Sequence, residues 1–181
     1  MLVIPTPLSG LLLIKPRVFN DSRGFFYESF NERDFRAQTG VDIRFVQDNH
    51  SLSARNVVRG LHYQIPNAQG KLVRITRGAV LDVVLDIRRS SPTFGQWFSQ
   101  VLSASNRLQL WLPPGFAHGF SVLEEATECL YKTTDYWMPE QERTILWNDP
   151  ALGIDWQLQG EPILSDKDRA GIPLALAEVF A

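Results

Sequence analysis

The hydrophobic pattern of this chain has mostly a period of two, not of three to four. Ala79 to Arg88 is the clearest case: Val80, Asp82, Val84 and Asp86 alternate with Leu81, Val83, Leu85 and Ile87. Both sets contain apolar side chains, so the strand must be covered on both faces, as in a sandwich or barrel wall. Lys71 to Thr76 precedes it as another strand, separated by Arg77-Gly78. Leu11-Leu12-Leu13-Ile14 is a short buried strand stopped by Lys15-Pro16. Arg17 to Phe19 leads into a turn at Asn20 to Gly24, and Phe25 to Phe30 is an aromatic strand. Asn31 is placed as the N-cap of a short helix, Glu32 to Gln38, closed at Thr39-Gly40.

Further along, Ile43 to Gln47 reads as a strand, Asp48 to Ser51 as a polar turn, and Val57 to Gln64 as a strand before the loop Pro66 to Gly70. Strands are also predicted at Gln96 to Leu102, Arg107 to Leu112, Gly119 to Val122 and Ala126 to Tyr136, with Pro113-Pro114-Gly115 as a breaker. Pro139 to Ile154 is turn-rich, and a short helix follows Ser165. Many short strands at regular spacing, with no linker or repeat, predict an all-β sandwich or barrel over one domain, residues 1–181.

Composition narrows the function classes. A net charge of −2 argues against a dedicated nucleic-acid binder. The single cysteine, Cys129, leaves no intrachain disulfide and fits a reducing compartment. No signal-peptide pattern and no long apolar run occur, so a cytoplasmic protein without a membrane span is expected.

The candidate chemistry centres on Val58-Arg59-Gly60-Leu61-His62-Tyr63-Gln64. Arg59 can hold a phosphate or carboxylate with a bidentate fork, and His62 titrates near neutral pH. Strict alternation puts the two on opposite faces, so they share a site only where the strand bulges at Gly60. The histidines are His50, His62 and His118. They form no short-spaced pair, so no metal site is expected. For acid–base work the candidates are His62, Lys71, Tyr131, Tyr136 and Asp168. Each also has a bland reading, such as a solvated strand end, a half-buried wall aromatic or one more charge in Asp166-Lys167-Asp168-Arg169.

Several blocks together carry a resemblance. They are Arg59 to Gln64, Gln69 to Arg74, Asp86 to Gly95, Pro114-Gly115-Phe116-Ala117-His118-Gly119-Phe120, Tyr131 to Tyr136, Ile145 to Pro150, and Leu164 to Asp168. In this order they resemble the dTDP-4-dehydrorhamnose 3,5-epimerases from about Leu12 to Asp168. The resemblance implies a metal-free, cofactor-independent cupin jelly roll acting as a homodimer on a dTDP-4-keto-6-deoxy sugar. It implies His62 as general base, Asp168 as its partner, Tyr131 as acid and Lys71 near the 4-keto oxygen. Arg23, Glu28, Gln47, Asn49, Arg59, His118, Tyr136, Glu142 and Lys167 match positions that line the nucleotide-sugar site. Where the family pattern often has a second tyrosine after Asp135-Tyr136, this chain has Trp137, whose indole still offers an apolar face to a pyrimidine.

The residue types suit that reaction. C3 and C5 both flank the C4 ketone, so removal of either proton gives an enolate. A carboxylate behind the imidazole fixes its tautomer, a cation holds the enolate oxygen, and inversion needs an acid on the other face. Two other readings stand beside it: a related mono-epimerase or ketoisomerase using the same base, and a non-catalytic or metal-binding cupin.

Overall fold

The computed structural model describes residues 1–181 as two antiparallel sheets packed face to face. The strands are β1 (Leu2–Pro5), β2 (Leu12–Lys15), β3 (Phe19–Asp21), β4 (Gly24–Phe26), β5 (Gln47–Ser53), β6 (Val58–Gln64), β7 (Lys71–Arg77), β8 (Ala79–Asp86), β9 (Trp97–Ser103), β10 (Gln109–Leu112), β11 (Phe116–Val122), β12 (Thr127–Thr133) and β13 (Glu142–Thr144). One sheet runs β1-β2-β10-β7-β12-β5 and the other β13-β6-β11-β8-β9, while β3 and β4 form a separate hairpin. No helix is long and apolar enough to cross a membrane.

Apolar layers on both faces explain why β8 is buried at every position. Val80 and Val84 face inward between the sheets with Val73, Ile75, Phe116, Phe120 and Cys129. Leu81, Val83 and Leu85 face the other way, under Ile145, Trp156 and Ala177 of the C-terminal segment. The outer face of the six-stranded sheet is covered by helix α1 (Glu32–Thr39), whose Phe35 packs with Ile14, Leu72 and Trp111. Asn31 caps α1 by accepting the Asp34 N–H, and Gly40 ends it in the left-handed region at φ 71°.

The local differences from expectation have physical reasons. Asp48 to Ser51 is not a turn but the middle of β5, paired along its length with β12. Its polar residues alternate: Gln47, Asn49 and Ser51 are half-buried, while Asp48 and His50 point outward to Lys132 and Glu128 at 2.9 and 3.2 Å. A strand whose inner face meets a polar cavity has no apolar stripe to betray it. Ile43 to Val46 is irregular, because its aromatic Phe45 packs edge-on against Phe35 and Trp111 rather than entering a ladder. Of Phe25 to Phe30, only Phe25 and Phe26 are in a strand. Two short strands, β1 and β13, were not foreseen. The short helix after Ser165 is present as α2 (Asp166–Arg169).

Candidate active site

A bulge solves the problem of alternation at Gly60. His62 pairs with His118, and Arg59 with Phe120, so three steps on β6 match two on β11. Gly60 adopts φ +115°, and a Cβ there would lie 2.5 Å from the Gly119 Cα. Only glycine fits. The extra residue turns Arg59 and His62 to one face, where both line a cavity of about 320 Å³ between the sheets.

The five-stranded sheet supplies Arg59, His62, His118, Phe120 and Glu142 to this cavity. The six-stranded sheet supplies Gln47, Asn49, Ser51, Lys71 and Tyr131. Gln69 and Trp137 come from loops and Lys167 from α2. Asp168 lies just behind. Nine of the expected lining residues therefore share one cavity: Gln47, Asn49, Arg59, His62, Lys71, His118, Tyr131, Glu142 and Lys167.

Three expected residues lie elsewhere. Arg23 is at the exposed tip of the β3–β4 hairpin, paired with Asp21 at 2.6 Å. Glu28 accepts from Asn31 at 3.2 Å beside a separate cleft of about 280 Å³. Tyr136 is exposed, and its neighbour Trp137 faces the cavity instead. Ser51, Gln69 and Phe120 line the cavity without having been singled out.

The His62 Nε2 lies 2.6 Å from the Asp168 Oδ1. Burial raises the Asp168 pKa, but hydrogen bonds from His62, Ser165 and the Gly60 N–H outweigh it and hold the carboxyl at about 2. An ionised carboxylate can only accept, so Nε2 carries the proton and Nδ1 the lone pair. Burial lowers the His62 pKa against the pull of Asp168, with Lys167 and Lys71 adding to the lowering. The ring is thus held neutral, in the form a base requires.

Lys71 is buried, which brings its pKa down to about 8 against the opposing charges of Glu142 and Asp82. Its amine makes no hydrogen bond or ion pair in the protein and so has donors free for a ligand oxygen. Burial raises the Tyr131 pKa, with Cys129 and Glu142 adding to it, which keeps the phenol protonated. A second His–Asp pair lies deeper: the His118 Nε2 sits 3.0 and 2.9 Å from the two oxygens of fully buried Asp82. Arg59 is steadied by the Ser53 Oγ, which accepts from Nε at 3.2 Å and Nη2 at 3.1 Å. On the rim, Lys167 donates to Glu142 at 2.8 Å, and the Trp137 N–H donates to Gln47.

The arrangement offers a neutral base backed by a carboxylate, a phenol on the facing sheet, a buried amine and an arginine fork. No group of three or more His, Cys, Asp or Glu side chains is gathered to hold a metal. That donor set suits proton transfer beside a carbonyl, with an anionic group anchored alongside.

Residues 5–175 match the family model described as dTDP-4-dehydrorhamnose 3,5-epimerase. The chain is 62% identical over 173 residues to the enzyme of that name from Pseudomonas aeruginosa, covering 96% of each. It is 54% identical over 169 residues to the one from Escherichia coli, covering 93% of this chain and 91% of the other. Among solved structures, dTDP-6-deoxy-D-glucose-3,5-epimerase from Legionella pneumophila, in complex with dTDP-4-keto-L-rhamnose, superposes with a TM-score of 0.95 at 49% identity. That match covers 97% of this chain and 94% of the other.

Proposed function

The chain belongs to the dTDP-4-dehydrorhamnose 3,5-epimerase family, and from that premise we propose how its own residues carry the reaction. It is an isomerase of dTDP-L-rhamnose biosynthesis with a cupin-like β fold. It converts dTDP-4-dehydro-6-deoxy-D-glucose to dTDP-4-dehydro-L-rhamnose by inverting C3 and C5.

One observation carries the assignment of roles. The base and the acid come from facing sheets, His62 from β6 and Tyr131 from β12, across the cavity that also holds Lys71. A sugar ring lying between the sheets presents one face to each. His62 Nδ1 takes the proton from C3 or C5, and the C–H electrons move into the C4 carbonyl. Asp168 stabilises the resulting imidazolium. Lys71 donates to the enolate oxygen, an interaction typically worth about 3–4 kcal/mol in the transition state. Tyr131 then delivers a proton to the opposite face, and inversion follows.

The nucleotide anchors beside this centre. Arg59 holds the diphosphate, Trp137 packs against the pyrimidine, and Gln47, Asn49, His118, Glu142 and Lys167 complete the binding surface. The working unit is a homodimer. The β3–β4 hairpin exposes Phe19, Phe25 and Phe26 around Arg23, more apolar surface than a free hairpin carries. In the dimer that hairpin, with Arg23 and Glu28, reaches the partner's site. Sedimentation at micromolar concentration that finds a fully active monomer rejects this assembly. The buried lone thiol of Cys129 fits a cytoplasmic setting.

The roles of base and acid separate in D2O. The wild type gains deuterium at C3 and C5 with inversion. Tyr131→Phe keeps the ring's packing and loses only the hydroxyl, so the enolate still forms and His62 returns a proton to the face it came from. The expected result is deuterium at C5 with retained configuration and little L-sugar, read by NMR. Near wild-type inversion at C5 would remove Tyr131 from the role of acid.

A further inference from the structure

The carboxylate behind His62 has its own support. Ser165 stands at the N-cap of α2, and its hydroxyl makes two bonds. It accepts the Asp168 N–H at 3.2 Å, an ordinary helix cap. It also donates to the Asp168 Oδ2 at 2.6 Å. The other carboxylate oxygen, Oδ1, takes the His62 Nε2 at 2.6 Å and the Gly60 N–H at 3.0 Å. Ser165 is therefore the donor that meets the oxygen His62 does not use, on a side chain only 4% exposed.

We infer that Ser165 is a positioning residue for the reaction: its hydroxyl fixes the plane of the Asp168 carboxylate and through it aims the His62 imidazole. A carboxylate held at one oxygen alone can turn about its Cβ–Cγ bond. Held at both, it cannot turn without breaking a short, charge-assisted bond. The ring hydrogen-bonded to Oδ1 inherits that direction, as second-layer partners orient catalytic imidazoles elsewhere. The inference rests on the proposed roles of His62 and Asp168.

The charged and titratable groups around this pair come from several elements. Lys167 lies on α2, paired with Glu142 of β13. Arg59 shares β6 with His62, Lys71 lies on β7, His118 on β11 and Tyr131 on β12. A change confined to the Ser165 hydroxyl leaves all of them in place.

The test compares Ser165→Ala, Ser165→Gly and Ser165→Thr in the full-length protein, with Asp168→Asn alongside. Glycine is nearly as good an N-cap as serine, so the Gly variant removes the hydroxyl while keeping the helix start. Without its donor the carboxylate is free to turn, which misdirects the imidazole, and Oδ2 keeps more of its negative charge, which favours the imidazolium beside it. The Ala and Gly variants should lose about tenfold in kcat, the scale of one charge-assisted hydrogen bond, with KM unchanged. The acid limb of kcat/KM should move up by about one pH unit, and Thr should restore both. Ala and Gly variants with wild-type kcat and an unmoved acid limb, differing only in a lower Tm, would make Ser165 a helix cap and nothing more. If Asp168→Asn is itself fully active, the assigned role of Asp168 fails and this inference with it. An impaired Asp168→Asn beside unaffected Ser165 variants overturns this inference alone.

Discussion

Two histidine–aspartate pairs face the same cavity, and they are built differently. In one, His62 meets a single oxygen of Asp168 at 2.6 Å, and that carboxylate takes further donors from Ser165 and Gly60. In the other, His118 straddles both oxygens of Asp82 at 3.0 and 2.9 Å, and the Asp82 carboxylate has no other hydrogen-bond partner. The first pair joins a bulged strand to a one-turn helix, with the His62 side chain 19% exposed. The second joins neighbouring strands of one sheet, at 7% and 0% exposure. A carboxylate satisfied by several donors stays ionised whether its imidazole gains or loses a proton. A fully buried carboxylate with one partner loses its only support if that partner moves. The first design suits a proton that comes and goes, the second a fixed scaffold that holds the cavity wall in shape.

Replacing each histidine in turn tests this most severely. His62→Asn should lower deuterium exchange at both carbons by about a thousandfold, the usual range for a lost general base, with dTDP binding retained. His118→Asn should leave exchange in place, raise KM by about tenfold for a lost hydrogen bond, and reduce stability through the unpaired Asp82. Exchange rates followed by NMR, with dTDP affinity by calorimetry, separate the two. If His118→Asn abolishes exchange while His62→Asn does not, the roles are reversed.

Much of the scaffold behind this contrast was legible in the sequence, because apolar alternation reports burial directly. β8 read as a strand covered on both faces, and Asn31 and Gly40 marked both ends of α1. What hid was polar. The inward face of β5 is Gln47, Asn49 and Ser51, which looks like a turn when the thing it faces is a ligand cavity. Asp82 was visible as an acid in the middle of an apolar strand, and such an acid must find a buried partner. Nothing local named His118 as that partner, since it comes from a strand 36 residues away. Ser165 and Asp168 carry a capping spacing, yet the second bond to Oδ2 depends on how the helix is seated. Arg23 and Glu28 lie outside this cavity, and spacing along the chain does not say which side chains the fold brings together.

Lys71 is a buried charged group that shares the cavity with both pairs, and it sharpens the contrast through pH. Its amine is buried without a hydrogen-bonded counter-charge, and burial brings its pKa to about 8. An unfolded lysine titrates near 10.4. The folded state therefore disfavours the charged form, and below pH 8 it carries that penalty in full. As pH rises from about 8 towards 10.4, the unfolded chain binds more protons than the folded one and the penalty fades. Lys71→Met, similar in length and apolar, should stabilise the protein at pH 7 by roughly 1–3 kcal/mol, with the gain shrinking above pH 8. Catalysis runs the other way. An enolate oxygen needs the cation, so Lys71→Met should lose about a hundredfold or more in kcat, the scale of one lost oxyanion donor. The wild-type enzyme should also lose kcat/KM above pH 8, as the amine gives up its proton. Chemical denaturation at pH 7 and pH 10, beside a pH–rate profile, reads both signs. A Met variant that unfolds more easily than wild type at pH 7 would mean that Lys71 is a structural cation held by Glu142 and Asp82. The buried amine would then belong with the scaffold pair rather than with the reacting one.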